Sequence, residues 1–249
     1  MTTPSPAFDL TRFGLSEMVV LGAELRRLGD GAQSMEEAAQ RVARFFYERL
    51  GDGASGPACV LARCYETHSL GALPERLRTF ARDALPGVEP RDDTTCLTLM
   101  GTFGDLPEWR GRQVSRGHQA IPLVSEEVVG GLPMVAELTR SLGLETTALV
   151  RPSAALLLEH ESRGFNVFHV ADAGGSPFVP AQAGFVLPFG VRSVVGFGFV
   201  LPPAGIVAVI LFTRVPVNGE TAQLFKTIAL GLKLAMLPLQ GKPTYEGGA

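Results

Sequence analysis

Apolar and polar positions along the chain change period several times, and the changes mark out its elements. Met18, Leu21, Leu25 and Leu28 recur at helical spacing, with Glu17, Glu24, Arg26 and Arg27 on other faces. That pattern predicts an amphipathic helix capped near Ser16. Ser34 followed by Glu37 has the form of a capping box: the hydroxyl accepts from the third helical amide and the carboxylate reaches back to the cap. A second helix is expected from there to Leu50, burying Ala38, Val42, Phe45 and Phe46 and ended by Gly51. Short apolar residues at 59–65 predict the first strand, Leu77, Phe80 and Ala81 a helix within 74–85, and residues 96–103 a second strand. Residues 104–119 are polar, turn-rich and irregular. Pro133 suits the first turn of a short helix carrying Met134, Leu138 and Leu142, with Gly143 as its stop. Residues 146–150 and 165–170 read as strands, while 154–160 fit helix or strand alike.

The last third is the most regular. After a Gly-, Ser- and Pro-rich loop at 171–180, alternation over 194–201 places Val195, Phe197, Phe199 and Leu201 on one face. The other carries Val194, Gly196, Gly198 and Val200, a flat surface open to close approach by a helix or a ligand. Residues 206–213 are apolar on both faces, as in a central strand. Pro202, Pro203 and Gly205 split 194–212 into two strand-length runs, so a hairpin explains this stretch better than a membrane span. Asn218 can cap a last helix with Leu224, Ile228, Leu232 and Ala235 in one stripe, ended by Pro238. One domain is expected over 14–240, with an N-terminal helical extension and flexible tails at 1–13 and 241–249.

Composition narrows the classes of function. Hydrophobic residues make up 46% and charged residues 19% of 249, so the chain folds by burial rather than as a solvated scaffold. A formal net charge of −3 gives no broad basic field, and direct nucleic-acid binding is not expected. The first residues lack a basic and apolar leader, which points to the cytoplasm, with no membrane partner. Three cysteines, an odd number, read as reduced thiols.

The run Phe189-Gly190-Val191-Arg192-Ser193, the strand that follows it, the turn at 202–205 and the return through 206–214 close an element order that resembles a GAF domain. The resemblance spans about residues 34–237, and its specific part lies after Phe185. It implies an α+β fold with a GAF-like central antiparallel sheet, helices packed on it, and the N- and C-terminal helices outside. It also implies a stand-alone sensory or regulatory role: an unidentified small ligand, a homodimer, and a signalling partner protein, since no output segment is recognisable. The cysteine context of bilin-binding members and the Asn-Lys-Phe-x-x-x-Asp-Glu signature of the cyclic-nucleotide branch are absent, and no cofactor is named.

Chemistry is sparse. Trp109-Arg110-Gly111-Arg112 offers an aromatic plane and two guanidinium groups suited to a carboxylate or phosphate, or equally a surface loop anchored by its tryptophan. His118 lies in the irregular segment, and His169 either faces a pocket or is a hydrogen-bonded structural histidine. Arg192 sits where the loop meets the sheet, facing a cavity or holding the loop, and Asp172 and Ser176 could meet a ligand or make turns. Cys64, His68, Cys96, His118, His160 and His169 show no metal-ligand spacing. Cys59 and Cys64 would point to opposite faces of a regular strand, and the thiol spacings do not match the GAF-like reductases of free methionine sulfoxide. No serine elbow or phosphate loop appears, so an enzyme has no named nucleophile. Three readings follow: a ligand-binding sensor, a ligand-free interaction module, and a thiol-dependent redox enzyme.

Overall fold

A computed structural model describes residues 7–54, 56–85, 87–153, 166–202 and 205–246. Its elements are helices α1 (Leu15–Leu25) and α2 (Met35–Arg49), strand β1 (Cys59–Ser69), α3 (Glu75–Asp83), β2 (Thr95–Gly104), β3 (Ala120–Pro122), α4 (Glu126–Gly130), α5 (Pro133–Ser141), α6 (Thr146–Val150), β4 (Phe168–Val170), β5 (Ser193–Leu201), β6 (Gly205–Thr213) and α7 (Gly219–Met236). The strands form one antiparallel sheet in the order β3-β2-β1-β6-β5-β4. The hairpin β5–β6 pairs from Ser193 opposite Thr213 to Leu201 opposite Gly205, and β6 lies in the interior of the sheet as its two apolar faces require.

Each face of the sheet has its own core. On one, Phe197, Val209, Cys64 and Met100 pack against Leu21 and Leu25 of α1, Val42 and Phe46 of α2, and Phe225, Ile228 and Leu232 of α7. On the other, Val194, Leu99, Ile210 and Phe168 meet Val129 of α4, Leu138 of α5 and Leu149 of α6. The alternation read from residues 194–201 divides them between these cores. The flat side is taken by a helix. A Cβ at Gly196 would lie 2.9 Å from Leu138 Cδ1, so that glycine lets α5 sit close, while one at Gly198 would meet the Val207 carbonyl oxygen of the paired strand at 2.4 Å.

Local chemistry explains the helix ends. Ser34 Oγ accepts from the Glu37 amide at 3.0 Å, while the Glu37 carboxylate reaches past the cap to the Gln33 amide at 2.8 Å. Asn218 Oδ1 accepts from Thr221 at 2.8 Å and caps α7. Several expectations are corrected. Helix α1 starts after Gly14, whose amide donates to Glu17 Oε2 at 3.0 Å, rather than at a Ser16 cap. Gly51 does not stop α2 by a left-handed turn, because Leu50 and Gly51 are drawn into a short parallel pairing with Phe8 and Asp9. Residues 146–150 form α6 rather than a strand: a run of five residues carries too little period to decide, and Ala148 and Leu149 are buried from a helix. Strand β4 starts at Phe168, and residues 154–160 lie outside those described. At the chain's start, Phe8, Leu10 and Phe13 are buried in the first core.

Among the described residues, 219–239 are long and apolar enough to cross a membrane, but half of that window is buried in the fold, as in a core helix. Helix α2 comes very close to β2. A Cβ at Gly101 would lie 2.3 Å from the Ala39 carbonyl oxygen. Gly101→Ala is therefore expected to destabilise the fold by about 2–3 kcal/mol in chemical denaturation. Gly184→Ala, with open space around it, should change stability by less than about 0.5 kcal/mol.

Candidate functional site

A cavity of about 700 Å³ opens where the end of β1 meets the beginnings of β2 and β6. Glu66, Thr67, His68 and Ser69 supply its floor, Leu201 and Gly205 one side, and Met35 and Leu239 to Lys242 the cover. Thr67 is used by the scaffold, its hydroxyl accepting from the Ile206 amide at 2.9 Å. Glu66 and His68, two apart on a strand, point to the same side. Glu66 is only 7% exposed, and its Oε2 lies 3.3 Å from His68 Nε2. The pair is poorly aligned, and neither atom has a hydrogen-bond partner. The Tyr245 ring lies 5.9 Å from that of His68, and its buried hydroxyl also lacks a partner.

Buried polar groups are nearly always hydrogen-bonded, since each left alone costs about 1–3 kcal/mol. Three such groups side by side, two of them in the wall of a cavity, mark a place that a polar molecule can satisfy. Burial pushes the Tyr245 hydroxyl pKa up; Arg112 and the Thr98 side chain, which the hydroxyl faces without forming a well-aligned hydrogen bond, oppose the rise, and Glu66 and Glu36 add to it. The group is thus a neutral donor and acceptor at neutral pH.

The cover is fastened by the start of α2. The first amides of a helix have no partner within it. Here those of Met35 and Glu36 donate to the carbonyl oxygens of Pro243 and Thr244 at 3.1 and 2.9 Å. Glu36 Oε2 accepts from the Glu246 amide at 3.0 Å, and Lys242 Nζ donates to the Ala32 carbonyl at 2.6 Å. Residues 242–246, assigned to a tail from composition, therefore run along the α2 N-terminus and place Tyr245 beside His68.

None of the seven residues singled out from the sequence lines this cavity. Trp109 packs against Phe185 and Phe189, with ring centroids 5.6 and 4.7 Å away. Arg110 is exposed, stacked 5.7 Å from Phe103. Arg112 is buried and donates through Nε and Nη2 to Glu36 Oε1 at 2.9 and 2.7 Å, so its fork already holds a carboxylate. His118 has a left-handed backbone (φ 57°) and its Nδ1 lies 3.5 Å from Arg63 Nη1. Desolvation first, and then the Arg63 charge, lower its pKa. His169 Nε2 meets the Val217 carbonyl at 2.8 Å. Asp172 Oδ1 accepts from the Gly174 amide at 3.0 Å in a turn, and the exposed Arg192 accepts through its carbonyl from Ala173 at 2.8 Å. Glu66, His68 and Tyr245 form the cluster instead. Glu66 and His68 signal themselves by sharing one face once β1 runs on to Ser69.

One irregularity in β1 reverses the expectation for its cysteines. An extra residue between Cys59 and Leu61, relative to β6, turns Cys59 to the same core as Cys64 and Cys96. All three thiols are buried and in no disulfide, and none lines the cavity. Burial pushes Cys59 up to about 12, partly opposed by Arg214, and Cys96 up to about 12; burial and then Glu66 raise Cys64. Among the described residues no group of three or more potential ligands could hold a metal ion.

No protein-family model and no curated protein matches the chain. Solved structures match it in shape. Free methionine-R-sulfoxide reductase from Neisseria meningitidis, in complex with its substrate, aligns at TM-score 0.48 and 10% identity over 91% of this chain and 92% of that one. The GAF domain of an Acinetobacter phosphoenolpyruvate-protein phosphotransferase aligns at 0.44 and 9% over 92% and 97%. The chromophore-binding domain of an R. palustris bacteriophytochrome aligns at 0.40 and 10% over 91% and 63%. The fold is GAF-like. That statement rests on the sheet order, the helices on both faces and the closing hairpin and helix; the likenesses in shape carry nothing about activity.

The buried thiols make a direct prediction. With all three thiols buried and burial holding their pKa well above the usual thiol range, the folded protein should resist iodoacetamide and take up three labels only when denatured. Intact mass measures this; fast labelling of the folded chain would contradict the burial.

Proposed function

We propose that this GAF-like chain is a cytoplasmic sensory or regulatory domain that binds a small ligand in the sheet-end cavity and signals through dimer or partner contacts. The observation that carries the reading is the cluster of Glu66, His68 and Tyr245, unpartnered and buried beside a cavity large enough for a metabolite. The cover supports a signalling role, because it joins the cavity to α2 and to the chain after α7. A ligand that binds better when residues 242–246 are docked would shift their equilibrium. The test is native mass spectrometry of protein purified from its own host, beside thermal shifts against fractions of that host's metabolites. Ala72 lies exposed at the cavity wall, so Ala72→Trp should fill the space without damage to the core. A retained mass or a stabilising fraction in the wild type, lost in Ala72→Trp, is expected; no such difference would remove the reading.

Dimer formation is proposed on a separate observation. Helices α1 and α7 lie side by side, and a Cβ at Gly231 would be 3.3 Å from the Gly22 carbonyl oxygen. Outside this contact they expose Leu15 (69%), Val19 (64%), Leu230 (58%) and Leu234 (47%), each pair one helical turn apart. Light scattering at micromolar concentration should give the mass of two chains, and Leu230→Glu with Leu234→Glu the mass of one. The same patch supports the second reading, a ligand-free interaction module, which predicts the dimer but no effect of Ala72→Trp.

A further inference from the structure

Charge is distributed unevenly between the floor and the mouth of the cavity. Glu66 is the acidic group at depth, nine-tenths buried, with an unpartnered carboxylate oxygen. His68 Nε2 and the Tyr245 hydroxyl, also unpartnered, stand with it. At the exposed mouth, Arg91 and Asp93 pair with each other at 3.1 Å. Arg151 and Lys242, the latter also donating to the Ala32 carbonyl, then leave positive charge there. A buried carboxylate whose nearest donor is one poorly aligned imidazole at 3.3 Å is costly and is best satisfied by a cation that brings its own N–H groups. A lone cation, however, would have to pass two positive groups, and a lone anion would be repelled by the floor.

We propose that the cavity takes a small zwitterion, an ammonium end seated on Glu66 with His68 and Tyr245 around it, and a carboxylate end held at Arg151 and Lys242. This rests on the reading of the cavity as a ligand site and names the class of ligand. The Tyr245 hydroxyl and the imidazole complete the hydrogen bonds of the ammonium group, or of a polar atom next to it. The docked residues 242–246 carry both Tyr245 and Lys242, so both ends of such a ligand would touch the same cover segment. Binding and docking of the cover are coupled by that arrangement.

Three probes of one length separate the terms: 6-aminohexanoate has both charges, hexylamine only the ammonium, and hexanoate only the carboxylate. By calorimetry on the full chain, 6-aminohexanoate should bind about tenfold or more tighter than either of the others. Glu66→Gln should remove that advantage over hexanoate while leaving hexanoate itself unchanged. Because Glu66 is buried and its variant could fold poorly, Arg151→Gln provides a surface test that leaves the fastening of the cover at Lys242 intact. There 6-aminohexanoate should lose most of its advantage over hexylamine, with hexylamine unaffected. Equal binding of all three probes, abolished by Ala72→Trp, would overturn the zwitterion and leave the cavity as a ligand site. No binding of any probe up to about 10 mM would mean an ordered water only among the orphan groups, and would overturn both.

Discussion

The seat of α2 on the sheet is the constraint from which the site follows. Gly101 lets the helix backbone come within reach of β2, and the Gln40 side chain takes up the Thr102 backbone beyond the reach of β3, donating to its carbonyl at 2.9 Å and accepting from its amide at 3.1 Å. The pairing of β1 with β2 skips a residue at the same place, between Cys64 and Tyr65. A bulge, a missing Cβ and a side-chain amide thus fix the depth and direction of one helix. That direction sets where its N-terminus emerges, and the unsatisfied amides there receive the residues after Lys242. The cavity floor belongs to the sheet, but its cover is positioned by α2.

A buried ion pair holds the same corner. Glu36 and Arg112 are both at most 8% exposed, and the Arg112 guanidinium also stacks 5.3 Å from the Tyr245 ring. Pairs of this kind add little net stability, yet removal of one partner alone typically costs about 3–5 kcal/mol. Their value here is positional: Glu36 binds the irregular segment after β2 through Arg112 and the cover through the Glu246 amide. Two segments remote in sequence converge on one carboxylate next to the cluster. This contrasts with the opposite face of the sheet, where α5 closes over Gly196 and Gly198 and apolar side chains fill the space.

Most of the architecture was legible because it rests on local patterns. The Ser34 and Asn218 caps, the alternation of 194–201 and the apolar faces of 206–213 each follow from periods of two or 3.6 and from side-chain capping. The GAF-like order then follows from the succession of elements. What was not legible depended on partners far along the chain. Leu50 and Gly51 extend because Phe8 and Asp9 lie beside them, and the faces of Cys59 and Cys64 depend on a bulge that no short window contains. Arg112 looks like an anion-binding arginine until Glu36, 76 residues away, is seen to occupy it. The cluster escapes such patterns because the apolar run that marks β1 stops at Tyr65, while Tyr245 lies in a polar terminus that reads as a tail. A lone tyrosine in a polar terminus was the available hint.

The docked cover is a built part of the site rather than a passive segment after α7. Amide hydrogen exchange at Met35 and Glu36 measures this most directly, because their hydrogen bonds run to Pro243 and Thr244 and to nothing within α2. Slow exchange is predicted in the full chain, becoming fast in a chain ended after Gln240, with the amides of β5 and β6 unchanged. Exchange at Met35 and Glu36 as fast in the full chain as in the shortened one would contradict it.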